Sequence, residues 1–139
     1  MAQAGLFRIP FLGLMMRVSR QIRVNRRVDG FLHAMEEVKS KLRQGERVHV
    51  FPELTRCPRG YQGLQGFSAA PFLAAIQEDA LVVPIAFAGT DGVWAKGEFG
   101  LNFRRPVTAR TLSPLRAREY SSADELRAEV HRRIADALA

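Results

Sequence analysis

Phe51-Pro52-Glu53-Leu54-Thr55-Arg56-Cys57 is the stretch on which the reading of this chain turns. Residues 47–51 lead into it with Val48 and Val50 two apart, the spacing of a strand with one apolar face. Behind it, residues 52–66 hold Pro52, Pro58, Gly60, Gly63 and Gly66 and read as a loop. A strand that opens into a loop is where α/β proteins place their ligand-binding groups. In this loop a carboxylate, Glu53, stands three residues from a guanidinium, Arg56, with the Thr55 hydroxyl between them. Such a trio fits two arrangements. One is an ion pair that stabilises the loop, common and weak at surfaces. The other is a carboxylate orienting a guanidinium that offers its planar fork to phosphate. The residues alone do not choose between them.

Working outward, the elements alternate. Ile22 and Val24 alternate with polar residues as in a short strand. Asp29 stands where it can cap a helix whose apolar positions Phe31, Leu32, Met35, Val38 and Leu42 follow the helical period, with Gly45 as its stop. Beyond the loop, Ser68 is placed to cap a helix reaching Gln77, with Pro71 tolerated in its first turn. Residues 80–87 are apolar on both faces, as in a buried strand. Residues 100–107 read as another strand and 112–120 as a polar connection. Ser122 and Glu125 have the form of a capping box. After them Leu126, Val130, Ile134 and Leu138 form one stripe. Strands alternating with helices predict an α/β fold with a mixed sheet covered by helices.

The chain has 139 residues, which suits one domain. Its 47% apolar and 25% charged residues mark it as globular rather than disordered. The 21 Lys and Arg against 14 Asp and Glu leave a net charge of +7, which favours an anionic partner: phosphate, nucleic acid or an acidic membrane surface. Nucleic acid is the least favoured, because no reader motif is present and aromatics are not interleaved with the basic stretch 17–27. That stretch follows the apolar residues 6–16, a pairing suited to an anionic membrane surface. One cysteine, Cys57, excludes an internal disulfide framework and points to a reducing compartment. No apolar run has the length of a membrane span, and Arg8 and Pro10 interrupt the start where a signal peptide would be uniform.

Several blocks in order resemble those of the glycerolipid acyltransferase family, of the 1-acylglycerol-3-phosphate acyltransferase type. Phe51 to Cys57 is similar to that family's Phe-Pro-Glu-Gly-Thr-Arg-Ser. Ile9-Pro10-Phe11-Leu12-Gly13 resembles Ile-Pro-Phe-Phe-Gly, and Ile22 to Arg26 resembles a block ending in Ile-Asp-Arg. Phe67 and Phe72 fall within a Phe-Lys-Lys-Gly-Ala-Phe stretch, and Val83-Pro84-Ile85-Ala86-Phe87 resembles Val-Pro-Val-Ala-Ile, with Gly89-Thr90 following. The resemblance implies transfer of a fatty acyl group from acyl-CoA or acyl carrier protein to a glycerol-phosphate hydroxyl, as in lysophosphatidate. It implies that Glu53, Thr55, Arg56 and Arg26 bind the acceptor phosphate. It implies no metal or prosthetic group, the acyl carrier being a substrate, and a peripheral place on the cytoplasmic face of the membrane.

The chain also departs from that pattern. The family's general base is a histidine followed five residues later by Asp, and the motif precedes the Ile-Pro-Phe segment. Only eight residues precede Ile9, so the expectation is a partial acyltransferase domain over 1–139, lacking N-terminal elements and inactive alone. His131 and Asp136 have the literal spacing, but they lie on the last helix, about 140° apart around its axis, and far beyond the central block. Leu54 replaces Gly at a position that strains any side chain if its φ is positive. Cys57 replaces Ser, a swap that keeps size and weakens hydrogen bonding. Asn25 replaces Asp, and Ser68-Ala69 replace a lysine pair. A reactive role for Cys57 beside Arg56 and Arg59 is the weaker alternative to a passive loop thiol.

Overall fold

The computed structural model describes residues 2–3, 10–24, 28–61, 63–98, 100 and 102–139. The chain divides into two compact units, Met1–Phe51 and Pro52–Ala139.

In the first unit, β1 (Ala2–Gln3) pairs in parallel with β2 (Arg23–Val24), on either side of α1 (Pro10–Val18). Helix α2 (Val28–Arg43) follows. Asp29 lies inside it, at its second residue, so the helix starts earlier than a cap at Asp29 requires. Ile22, Ala34, Met35 and Val38 are buried, whereas Leu32 of the expected apolar face is exposed. Gly45, at φ +74°, ends the helix as expected: the Gly45 N–H donates to the Leu42 carbonyl and the Glu46 N–H to the Lys41 carbonyl. This is the double bond pattern of a left-handed helix stop. Helix α1 ends the same way on Arg20, at φ +53°, with Arg20 N–H on Arg17 O and Gln21 N–H on Met16 O.

Residues 47–51 keep the alternation of a strand, Val48 and Val50 half-buried between the exposed Arg47, His49 and Phe51. They join no ladder among the described residues, so the strand expected there is extended chain only.

The second unit is built on one interrupted antiparallel ribbon. β3 (Leu81–Val82) pairs with β6 (Leu115–Arg116), and β4 (Ile85–Ala88) with β5 (Thr108–Thr111). The break falls at Pro84, which has no N–H for the ladder; its carbonyl still accepts from Leu112 N–H at 2.9 Å. Across the break Ile85 faces Thr111 while Val82 faces Leu115, so the register slips by one residue, as at a bulge. The run 80–87 is therefore two short strands, and it is not buried on both faces. Ala86 is buried, but Leu81 and Val83 are exposed, because α3 (Ala70–Gln77) and α5 (Ala123–Leu138) provide the cover and a two-stranded ribbon has little to hide behind on its other face. The strand expected at 100–107 forms further on, at β5. The connection expected at 112–120 contains β6 and a short 3-10 turn (Ala117–Glu119) and buries Leu115 and Ala117.

Helix α5 packs on β4 and α3. Leu126, Val130 and Ile134 fill the core with Phe67, Phe72, Ala75, Ala86 and Leu115. Its start keeps one half of the expected capping box: Ser122 Oγ accepts from Glu125 N–H at 3.2 Å, while the Glu125 carboxylate reaches past the cap to the Ser121 N–H at 2.8 Å and the Ser121 hydroxyl at 2.7 Å. The Ser121 hydroxyl, and after it the Ser121 N–H, hold the Glu125 carboxyl below the usual carboxylate range. Helix α3 lacks such a cap; Ala69 occupies the position, and Ser68 N–H instead donates to Pro52 O at 2.9 Å, closing the base of the central loop. Together the helices and paired strands make an α/β fold.

Candidate functional site

The central loop opens at Pro52 and returns through Gln65. Glu53 ties its two legs together: Glu53 Oε2 accepts the Gln65 N–H at 3.1 Å and faces Cys57 Sγ at 3.6 Å. Gln65 Nε2 donates to Cys57 Sγ at 3.3 Å, completing a closed triangle. Burial pushes the Cys57 thiol up, and the Glu53 carboxylate adds to that, so the sulfur stays protonated and donates to the carboxylate. A thiol held in that form is a poor nucleophile, which agrees with the passive reading of Cys57.

Leu54 sits at φ +57° with its side chain out in solvent, so the position does demand the left-handed backbone expected for the glycine it replaces. The Thr55 hydroxyl is exposed and makes a long contact, 3.5 Å, to the Arg56 carbonyl.

Arg56 does not pair with Glu53 among the described ion pairs, so the loop-stabilising ion pair weighed from the sequence is not what forms. Its guanidinium carbon lies 3.9 Å from the centre of the Trp94 ring, and its Nη1 donates to Ala95 O at 3.2 Å. Both partners belong to one segment. Helix α4 (Thr90–Trp94) starts from Gly89, at φ +84°, where a Cβ would stand 2.5 Å from the Pro106 carbonyl oxygen. The same segment holds the loop at three further points. Arg59 makes a two-pronged bond to Glu98, at 2.7 and 2.6 Å. Gly60 N–H donates to Asp91 at 3.2 Å, and Lys96 N–H to Cys57 O at 2.9 Å. The Trp94 indole N–H donates to Glu98 O at 2.8 Å, which fixes the ring. The Arg59 guanidinium holds the Glu98 carboxyl below its ordinary range, so this pair is charged and internally neutral. Arg56 has no such carboxylate among the described ion pairs, and it is exposed.

Of the residues proposed from sequence, Glu53, Thr55 and Arg56 lie together in this loop, while Arg26 lies outside the described residues. The pair His131 and Asp136 is not a catalytic couple. The His131 ring packs edge-on against Phe67, at 4.7 Å between centroids, with Nε2 3.2 Å from Gln65 O. Asp136 pairs with Arg132 at 2.7 Å. Sequence reading passed over Trp94, Ala95, Asp91, Glu98 and Gln65. The partners of Arg56 and Arg59 lie some 39 residues along the chain, and no local pattern marks them. The one available signal was Trp94, the sole tryptophan.

The loop thus presents an exposed guanidinium with no carboxylate beside it among the described residues, on a scaffold of helices and paired strands. The family model for acyltransferases matches residues 1–88, and the chain belongs to that family, on its glycerolipid branch. The crystal structure of the 1-acyl-sn-glycerophosphate (LPA) acyltransferase PlsC from Thermotoga maritima superposes with a TM-score of 0.81 at 27% identity, covering 99% of this chain and 54% of that one. The chain thus spans about half the length of that relative. No curated protein matches it significantly.

Proposed function

We propose that this chain supplies the acceptor-phosphate-binding part of an acyltransferase of phospholipid biosynthesis. The reaction moves a fatty acyl group from the thioester of acyl-CoA or acyl carrier protein to the free hydroxyl of a lysophosphatidate-type acceptor, releasing the thiol. The observation that carries this is the Arg56 guanidinium, exposed and without a carboxylate partner among the described residues, with four of its five N–H donors outside the described bonds. Glu53 holds the loop that carries Arg56, and Thr55 offers an exposed hydroxyl beside it. In this reading His131, engaged with Gln65 and Phe67, is not the general base, and the proposal expects acyl transfer only where a His-x-x-x-x-Asp segment is joined to this loop to take the proton of the acceptor hydroxyl.

The test is acyl transfer to lysophosphatidate with purified chain, from acyl-CoA and from acyl carrier protein, with and without extension of the reading frame upstream. The expected result is no product from the 139 residues and product from an extended form that carries the motif. In that form Arg56→Ala raises the acceptor KM by roughly 10- to 100-fold, the worth of a charge-assisted hydrogen bond. Activity indifferent to Arg56→Ala overturns the proposal.

A second reading, a basic module that binds anionic lipid without catalysis, is favoured by α1. Phe11, Leu14, Met15 and Val18 form one stripe and are 53–76% exposed. Arg17 in its last turn and Arg20 just beyond are exposed as well. Apolar face and flanking cations suit the surface of an anionic membrane. In either reading the protein works as a peripheral protein on the cytoplasmic face. Among the described residues no helix is long and apolar enough to cross a membrane.

A further inference from the structure

We propose that Trp94 is a positioning residue for the acceptor phosphate: its ring forms the floor on which Arg56 is held with its N–H edge turned outward. This deepens the phosphate-binding reading of Arg56 and rests on it.

An arginine side chain has four rotatable bonds and, left exposed, would sample many directions. Here one face of the guanidinium is covered by the indole at 3.9 Å and one N–H is taken by Ala95 O. Stacking uses the face and leaves the in-plane N–H groups available, which are the ones a phosphate needs for two parallel bonds. The floor is itself fixed. The indole N–H is bound to Glu98 O, and the Glu98 carboxylate is gripped by Arg59. Ala95 is fully buried, so the carbonyl that receives Arg56 belongs to a rigid part of the unit. The same geometry separates two arginines three residues apart. Arg59 is spent on Glu98 and acts as a strut; Arg56 rests on a neutral aromatic face and keeps its charge for a ligand. The ligand class is a phosphate monoester, and the chemistry is shared by inorganic phosphate, glycerol 3-phosphate and a lysophosphatidate headgroup.

Trp94 is the sole tryptophan, so its fluorescence reports on this stack alone. The experiment titrates the 139-residue chain with glycerol 3-phosphate and, separately, inorganic phosphate. Emission of Trp94 and the phosphorus NMR signal of the ligand are followed in parallel. The expected result is a saturable change in emission with the same Kd as the NMR titration, abolished in Arg56→Gln. By NMR, Trp94→Leu weakens binding about 2- to 5-fold, the size of an exposed cation–π contact, while Trp94→Phe, which keeps the floor and loses the bond to Glu98, stays within about twofold. Helical circular dichroism and the thermal transition of both variants are compared with the parent. Binding that is lost in Arg56→Gln but equal in the parent, Trp94→Phe and Trp94→Leu leaves the phosphate reading standing and overturns the role of Trp94. Weakening by the same factor in the Phe and Leu variants also overturns it, because a general loosening of α4 then explains both. Absence of phosphate binding in the parent overturns the phosphate reading, and the role of Trp94 falls with it.

Discussion

Helices α1 and α5 carry the same sequence pattern and meet opposite fates. On α5, Leu126, Val130 and Ile134 lie four apart and are 0–7% exposed, pressed into the core of the second unit. On α1, Phe11, Leu14, Met15 and Val18 follow the same helical spacing and stand in solvent. A period of 3.6 residues states that a face is apolar; it does not state what covers it. Where the chain itself provides α3 and β4, the stripe becomes core. Where it provides no cover among the described residues, the stripe is left for another surface, and in the lipid-binding reading that surface is a membrane.

This contrast can be broken most directly at Leu126. Leu126→Ala removes a fully buried side chain and is expected to cost about 2–5 kcal/mol, measured by denaturant or thermal unfolding of the chain. A cost below about 1 kcal/mol would show that α5 is no better covered than α1. On α1 the effect moves from folding to binding. Phe11→Ser with Val18→Ser is expected to change unfolding by no more than about 0.5 kcal/mol per site, as for exposed positions, while sedimentation with anionic lipid vesicles falls by about tenfold. Unchanged vesicle binding would remove the lipid surface as the partner of this stripe.

A smaller test uses Leu54, another exposed apolar side chain, here on a strained backbone. Leu54→Gly sacrifices little burial and releases the left-handed φ, so it should raise stability by about 1 kcal/mol, read as a higher thermal midpoint. A loss of stability would mean that Leu54 packs in solution.

The smallest effect is expected on the polar face of α5. Hydrogen bonds from Arg132 and Arg133 push the Glu129 carboxyl down to about 2. A carboxylate whose folded value lies below its unfolded one adds stability above about pH 4.5 and loses that contribution as pH falls toward 2. The group is at the surface and screened, so the amount is small. Thermal midpoints of the parent should therefore fall toward those of Glu129→Gln between pH 4.5 and pH 2. A constant gap over that range would show that the two arginines do not hold the carboxylate in solution.

Much of the architecture was legible because it depends on neighbours in the chain. The Ser122 cap of α5, the helix stop at Gly45, the stripe of α5 and the positive φ at Leu54 are all set within a few residues. The errors fall where distant pairing decides. Residues 80–87 read as one buried strand, but Pro84 breaks the ladder and the ribbon has cover on one side only. Residues 100–107 read as a strand, but the partner of β4 begins at Thr108. Residues 47–51 hold a strand's alternation without a ladder.

The candidate site divides in the same way. The sequence by itself determined that Glu53, Thr55 and Arg56 share one loop at the end of an extended segment, because residues so close in the chain cannot be far apart in space. It also determined the family, through several short blocks in a fixed order. Only the tertiary structure decided that Glu53 serves the loop through Gln65 and Cys57 rather than Arg56. It alone set Arg59 against Glu98 and left Arg56 charged on the face of Trp94. Those contacts join segments some 39 residues apart, and they form only when α4, started by the one residue type that fits beneath Pro106, is laid against the loop.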